Sequence, residues 1–303
     1  MRGVVIFSSM ALALAFQPDA AILRGVFEQA LTRSQEQFGV FDARTAQAAR
    51  DLGMFLGRQG ENSDARNMLD QVVRIDEKVF GRDVTQTLAD VAELAAVSPS
   101  EQAEPLWKRA SASPSAVTAA RAFAELGKLH ALEGDRAGAV LYYRNALSKD
   151  VPKDSEAAAL HLNALAKLVD AADAVPLLER ALGIDRRILG ARHAETATTE
   201  ANLAGLLVDT SRNEEAIRLA TEALAVFQQT VGPDHPRTAI AASILGYAFE
   251  VKGDRARAEQ MYRLALAIDE RAYGSKNPQT VNDERVLNEF LKSAPKAATS
   301  KVH

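Results

Sequence analysis

Five histidines are the first place to look for chemistry in this chain, and their spacing argues against it. His193 and His235 stand forty-two residues apart in near-copies of one linker, "GARHAET" and "GPDHPRT", so what recurs there is a turn and not a ligand set. His130 shares an apolar column with Leu56, Leu207 and Phe249, which assigns it to packing. His161 falls on a helix and His303 in the last residues, and no HExxH puts two imidazoles one helical turn apart for zinc. Among the carboxylates, Asp76, Asp185 and Asp269 recur as "ID" near the end of one repeated phrase. Asp135, Glu214 and Glu215 fall at turns, where an acid favours the helix N-terminus that follows. These acids read as solvated or capping groups rather than as an acid–base pair. No serine has the strand–turn setting of an activated nucleophile. The chain has no cysteine, which removes thiolate chemistry, disulfides and cysteine-held metals. Its 17 glycines contain neither GxxxxGK nor GxGxxG, so no loop is built to cradle a nucleotide. The chemistry-bearing residues describe a non-enzyme without metal or other cofactor.

Composition agrees with a soluble chain that buries a core: 47% of the residues are hydrophobic, 25% charged and 6% aromatic. A net charge of −4 leaves no basic footprint for nucleic acid. The start is different in kind. "MRGVVIFSSMALALAFQP" has Arg2 as its one charge and precedes the first acid, Asp19. A basic start, a short apolar run and "ALA" at 13–15 form a secretory signal peptide over residues 1–15, with cleavage after Ala15. The run is too short for a membrane span. Export to the periplasm or the exterior follows from this reading. The competing reading is a first helix of a cytoplasmic protein, since Met10, Ala11 and Leu14 roughly fit the register described next.

The elements that would hold any site are dictated by a repeated phrase. "RALGIDRRILG" (180–190), "EALAVFQQTVG" (222–232) and "LALAIDERAYG" (264–274) are spaced by forty-two residues, and "QVVRIDEKVFG" (71–81) is a fourth relative. Each ends in glycine, with threonine six residues on: Gly39/Thr45, Gly81/Thr87, Gly190/Thr196, Gly232/Thr238 and Gly274/Thr280. Glycine closes one helix in the left-handed region and threonine is expected to cap the next. In "GPDHPRT" and "GSKNPQT" a proline just ahead of the threonine blocks continuation of the old helix. Seven residues beyond the threonine comes leucine with a small neighbour, as in Leu52-Gly53, Leu94-Ala95, Leu203-Ala204 and Leu245-Gly246. After a turn, a second helix carries a small column (Ala65, Ala103, Ala139, Ala174, Ala216, Ala258) and, four residues on, a bulky one (Leu69, Trp107, Tyr143, Leu178, Ala220, Tyr262). Three further on lies a second small column from Val72 to Ala265. Steps of four and three put these on one helix face, so each unit is a helix–turn–helix that must stack to bury it.

The register also sets boundaries. Residues 21–39 match a second helix alone, about six repeats fill 45–274, and 280–292 form a capping first helix. The solenoid thus covers 21–293, and 294–303 is a polar tail that reads as disordered. Repeats two and four have eight residues instead of twelve between small columns, close to one helical turn fewer, which keeps the apolar faces in phase.

At "NLAGLLVDTSRNEEAIRLATEALAVF" (202–227) the unit resembles a tetratricopeptide repeat, and its 42-residue period with a long linker resembles the kinesin-light-chain-like variety. The resemblance implies an all-α, right-handed superhelical solenoid of tetratricopeptide-type helix–turn–helix repeats, with the first helices lining a concave groove. On that face lie Thr198, Asn202, Ile240, Ile244 and Tyr247 toward the C-terminus, and Arg121, Glu125 and Lys128, with Gln47, Asp51 and Met54, toward the N-terminus. Asn202 matches the position where relatives hold a peptide backbone, but Asp51, Glu125, Ala164 and Ile244 break the row, and the Lys/Asn set that grips a C-terminal carboxylate is missing. The expectation is a protein–protein scaffold or adaptor that binds another protein, as a peptide or a partner helix. The alternative is an assembly factor of the cell envelope acting by self-association. A further alternative is that the capping helix covers Ile240, Ile244 and Tyr247.

Overall fold

A computed structural model describes residues 20–150 and 152–293; residues 1–15, expected to be an export signal, and the tail from 294 lie outside the described residues. What is described is all-α. The helices are α1 (Ala20–Phe38), α2 (Ala43–Arg58), α3 (Asn62–Val79), α4 (Thr85–Ala96), α5 (Ser100–Ala110), α6 (Ala116–Leu132) and α7 (Arg136–Lys149). They continue with α8 (Glu156–Ala166), α9 (Ala171–Ile188), α10 (Ala194–Leu207), α11 (Asn213–Thr230), α12 (Pro236–Lys252), α13 (Arg255–Tyr273) and α14 (Pro278–Lys292). Contacts group them into two compact units, one ending at Gly134 and one beginning at Asp135. In the first, α2/α3 and α4/α5 are hairpins, α1 lies on α2, and α6 lies on both α5 and α4. In the second, the hairpins are α8/α9, α10/α11 and α12/α13, with α14 on α13 and the first helices α10 and α12 in mutual contact.

The columns read from spacing form the core of both units. Every member of the second-helix small column, from Ala65 through Ala103, Ala174 and Ala216 to Ala258, is buried, as are Leu69, Trp107, Leu178 and Tyr262. Small residues are needed where bulky ones cross. A β-carbon on Gly246 would stand 2.8 Å from Cδ1 of Tyr262, and one on Gly53 would stand 3.0 Å from Cγ of Leu69. The short repeats keep phase as expected: α4 and α8 have 12 and 11 residues against 16 in α2, and still bury Leu94-Ala95 and Leu165-Ala166.

The linker threonines are not caps. The helices begin earlier, at Asp42, His193, His235 and Asn277, whose side chains accept from the N–H two residues on at 2.9, 3.2, 3.0 and 2.9 Å. Pro236 and Pro278 are first residues of α12 and α14, where a missing N–H costs nothing. Each threonine sits inside the first turn and donates backward: Thr45, Thr87, Thr196 and Thr238 reach the carbonyls of Gly39, Gly81, Gly190 and Gly232, each at 2.8 Å. Thr280 differs, donating to the Asp269 carbonyl at 3.2 Å. Among the described residues, positive φ is confined to eight glycines, five in these linkers and three at the shorter turns between helices. The two linkers without glycine close otherwise. Lys153 caps the end of α7 through the carbonyls of Leu147 and Ser148, His161 bonds Asp150 at 3.0 Å, and Ser115 and Ser155 cap α6 and α8.

Nor are the "ID" carboxylates solvated. Asp76, Asp185 and Asp269 are 0%, 4% and 2% exposed, each meeting the residue fourteen positions on in the next first helix. Thr199 donates to Asp185 at 2.6 Å. Asp76 and Asp90 share Arg50, whose guanidinium contacts them at 3.0 and 2.5 Å. Burial, with Asp90 alongside, pushes Asp76 up to about 7, and its buried Oδ1 has no donor until one of the two carboxyls holds a proton. Burial and the neighbouring Asp269 likewise push Asp283 up to about 6. The end of a second helix is its outermost point in sequence, yet it is covered by the helix that follows.

Candidate partner-binding face

The residues expected to line a face fall in different units, and each unit presents its own. In the first, the charges on α6 are already paired among themselves or with α4. Arg121 bonds Glu93 and lies 5.6 Å over the Trp107 ring, and Lys128 stands 3.6 Å from Glu125. His130 is half-buried on the same helix, 3.9 Å from Glu104, in keeping with a packing column.

In the second unit, Thr198 and Asn202 lie on α10 beside Asn163 of α8, around a pocket of about 190 Å³. Asn202 donates to Asn163 at 3.2 Å, Asn163 donates to Thr199 at 2.8 Å, and Thr199 donates to Asp185 at 2.6 Å. This chain of donors orients Asn202 and leaves its own carbonyl oxygen without a donor among the described residues. Thr198 spends its hydroxyl on the Ala194 carbonyl. Asn163 carries no signal in the sequence, because it stands one residue before the column position that Asn202 occupies.

Ile240, Ile244 and Tyr247 follow one stripe of α12. The capping helix α14 packs on α13 and does not cover the stripe: Ile240 is 51% and Tyr247 41% exposed, while Ile244 is partly buried against the core. Beside them α10, α12, α13 and α14 enclose an open groove of about 530 Å³, with Ile244, Tyr247, Tyr262, Val286 and Phe290 as its apolar lining. Its polar members are Ser243, Glu250 and Glu289, and Asp209 reaches its edge through Tyr247. The Tyr247 hydroxyl donates to Asp209 at 2.7 Å, and the Tyr262 hydroxyl to Glu250 at 2.8 Å. The Asp209 bond, then burial, raises the Tyr247 phenol; burial first, then Glu250, raises that of Tyr262. Both tyrosines therefore stay neutral donors to these two carboxylates. Glu250 could have been found in the sequence, three residues beyond Tyr247 on the same helix face; Asp209, in a turn, carried no such signal.

No three His, Asp or Glu side chains among the described residues converge as a metal site would require, and none of the described helices is long and apolar enough to cross a membrane.

Models of the tetratricopeptide repeat match residues 45–83, 155–229 and 195–271, together slightly more than half of the chain. The chain belongs to the tetratricopeptide repeat family. Solved structures agree with that fold. The STAND protein with a tetratricopeptide repeat sensor from Pyrococcus horikoshii is 17% identical, with a TM-score of 0.64 over 89% of this chain and 42% of that one. The Cut9–Hcn1 hetero-tetramer structure of the APC/C gives 16% identity and a TM-score of 0.57 over 89% and 46%. A Podosopora anserina putative kinesin light chain with TPR-like repeats gives 18% and 0.42 over 75% and 95%. This tetratricopeptide repeat protein thus spans less than half the length of the first two. No curated protein matches it significantly.

Proposed function

We propose that this tetratricopeptide repeat protein is a non-catalytic interaction scaffold, and that the α10–α12–α14 face of its second unit takes a peptide or helix of another protein. One observation carries the reading: Ile240 and Tyr247 stay 51% and 41% exposed on a first helix that has a long capping helix within reach. Large apolar side chains beside a groove with oriented polar groups are what a partner's side chains bury against, and an exposed tyrosine contributes contact area at small entropic cost. Asn202, aimed by Asn163, supplies a carbonyl for a partner's backbone N–H. The test is partner capture by the full chain and by Ile240→Ala/Tyr247→Ala. Capture should be lost while the thermal midpoint stays put, since exposed substitutions change stability by about 0.5 kcal/mol or less. Capture that persists and instead fails in Arg121→Ala/Lys128→Ala moves the site to the first unit. We also propose that the chain is exported, on the strength of residues 1–15; intact mass of protein from its native host should then lack about fifteen residues.

A further inference from the structure

The groove beside Tyr247 is electrostatically one-sided. The basic side chains that border it are already engaged: Arg285 bonds both oxygens of Glu289 at 2.8 and 2.9 Å, and Arg255 holds the carbonyls of Phe290 and Leu291 at the end of α14. Arg237, one turn from Ile240, is paired with Glu195 at 2.8 Å. Asp209 and Glu250 have no such partner. Among the described residues each accepts from one tyrosine hydroxyl and has no ion-pair partner, so each keeps an uncommitted oxygen. Two carboxylates without a cationic partner, set beside an apolar trough, disfavour an acidic segment. They also gain nothing from an uncharged one.

We propose that the occupant of this groove is a peptide segment bearing a lysine or arginine among apolar residues, its cationic head seated at Asp209 and Glu250. This rests on the partner-binding reading above and adds the chemistry of the partner to it. The aliphatic stem of the basic residue lies along the Tyr247 ring, as long cationic side chains do on apolar surface. The flanking apolar side chains fill the trough between Ile244 and Val286. The tyrosine hydroxyls hold both carboxylates in place before the partner arrives, so little ordering remains to be done on binding.

Three fluorescein-labelled decapeptides test this by fluorescence anisotropy on the full chain. They share the sequence GSALKLALGS, with the lysine kept, changed to methionine (similar length, no charge) or changed to glutamate. The lysine peptide should bind at least tenfold tighter than the methionine peptide, with glutamate weakest, and the advantage should shrink with added salt. Asp209→Asn/Glu250→Gln preserves acceptors for both tyrosines; it should bring the lysine peptide down to the methionine level while leaving the methionine peptide within twofold. Equal or better binding of the methionine or glutamate peptide, still lost in Ile240→Ala/Tyr247→Ala, overturns the charge assignment and leaves the face intact. Binding indifferent to Ile240→Ala/Tyr247→Ala overturns the face itself, and no binding by any of the three overturns both.

Discussion

Gly246→Ala should destabilise this protein even though alanine is the better helix former. Within a helix the exchange is favourable by about 0.5–1 kcal/mol, because glycine loses more backbone entropy on folding. Against that, the new methyl would stand 2.8, 3.0 and 3.2 Å from Cδ1, Cε1 and Cγ of Tyr262. The closest approach is about 0.7 Å inside the ~3.5 Å at which carbon atoms meet comfortably. The ring cannot easily retreat. Its hydroxyl is tied to Glu250 at 2.8 Å, the Phe290 ring backs it at 5.3 Å between centroids, and it is 3% exposed. Overpacking of this kind costs about 1–3 kcal/mol, so the clash wins and the net loss is on the order of 1–2 kcal/mol. With a urea slope of about 1–3 kcal/mol/M, the midpoint should fall by roughly 0.5–1 M. Gly183→Ala is the internal control: it lies in α9 with no atom within 4 Å of the new methyl, so only the helix term remains and the midpoint should rise. Tyr262→Leu in the Gly246→Ala background should recover stability, since Leu178 packs with alanine at the corresponding Ala166. A Gly246→Ala midpoint at or above that of the parent, with unchanged slope, would refute the column argument.

Four further outcomes are expected. Ala223→Leu, at a position with no exposed surface, should cost about 1–3 kcal/mol, whereas Glu214→Gln on the surface should stay within about 0.5 kcal/mol, as read from urea midpoints. Thr238→Val should cost about 0.5–1.5 kcal/mol by removing the shorter of the two hydrogen bonds to the Gly232 carbonyl, the His235 N–H remaining, and Thr238→Ser should recover much of it. Arg50→Met should cost about 3–5 kcal/mol at pH 7, because it strands Asp76 and Asp90 in the core without their cation. The folded pKa of Asp283, about 6, lies above the ordinary 3.8. Its stabilising contribution is therefore complete below pH 4 and is lost as the pH rises through 6. Asp283→Asn should accordingly gain on the parent in thermal midpoint between pH 5 and pH 7.5; a difference that stays constant over this range contradicts the buried-proton assignment.

The parts of this fold that were legible in the sequence are those fixed by period. Small and bulky columns repeat because helix packing repeats, and Ala65, Leu69 and Val72 announce their face without any knowledge of their neighbours. What stayed hidden depends on partners distant in sequence or on the phase of a helix start. The glycine–threonine interval fixes two residues relative to each other but not to the first turn, so the threonine passed for a cap. The prolines held the missing information: Pro236 and Pro278 favour the first helical position, which makes His235 and Asn277 the caps. Asp76 and Asp269 looked like ordinary helix-end acids because burial there is imposed by the following helix. The groove was half legible. A stripe at Ile240, Ile244 and Tyr247 follows from spacing, whereas the pairing of Tyr247 with Asp209, thirty-eight residues away, is a product of stacking.

Near-identical modules in one chain face a sorting problem during folding, and the buried pairs fourteen residues apart supply a solution. The position is filled four ways: Asp76 with Asp90 and Arg50, Asp185 with Thr199, Phe227 with Ala241, and Asp269 with Asp283. In the second unit the three ends differ: a carboxylate that meets a hydroxyl, a ring that meets a methyl, and a carboxylate that meets a carboxylate. Were the end of α9 to dock on α12 in place of α10, Asp185 would face Ala241 and bury a carboxylate with no donor, a penalty of several kcal/mol. Were the end of α11 to dock on α14, the Phe227 ring would press on Asp283. The pairs thus act as addresses written at each seam: a chain that says nearly the same phrase four times can still tell its copies apart, and an engineered array that copied one repeat throughout would surrender that ability.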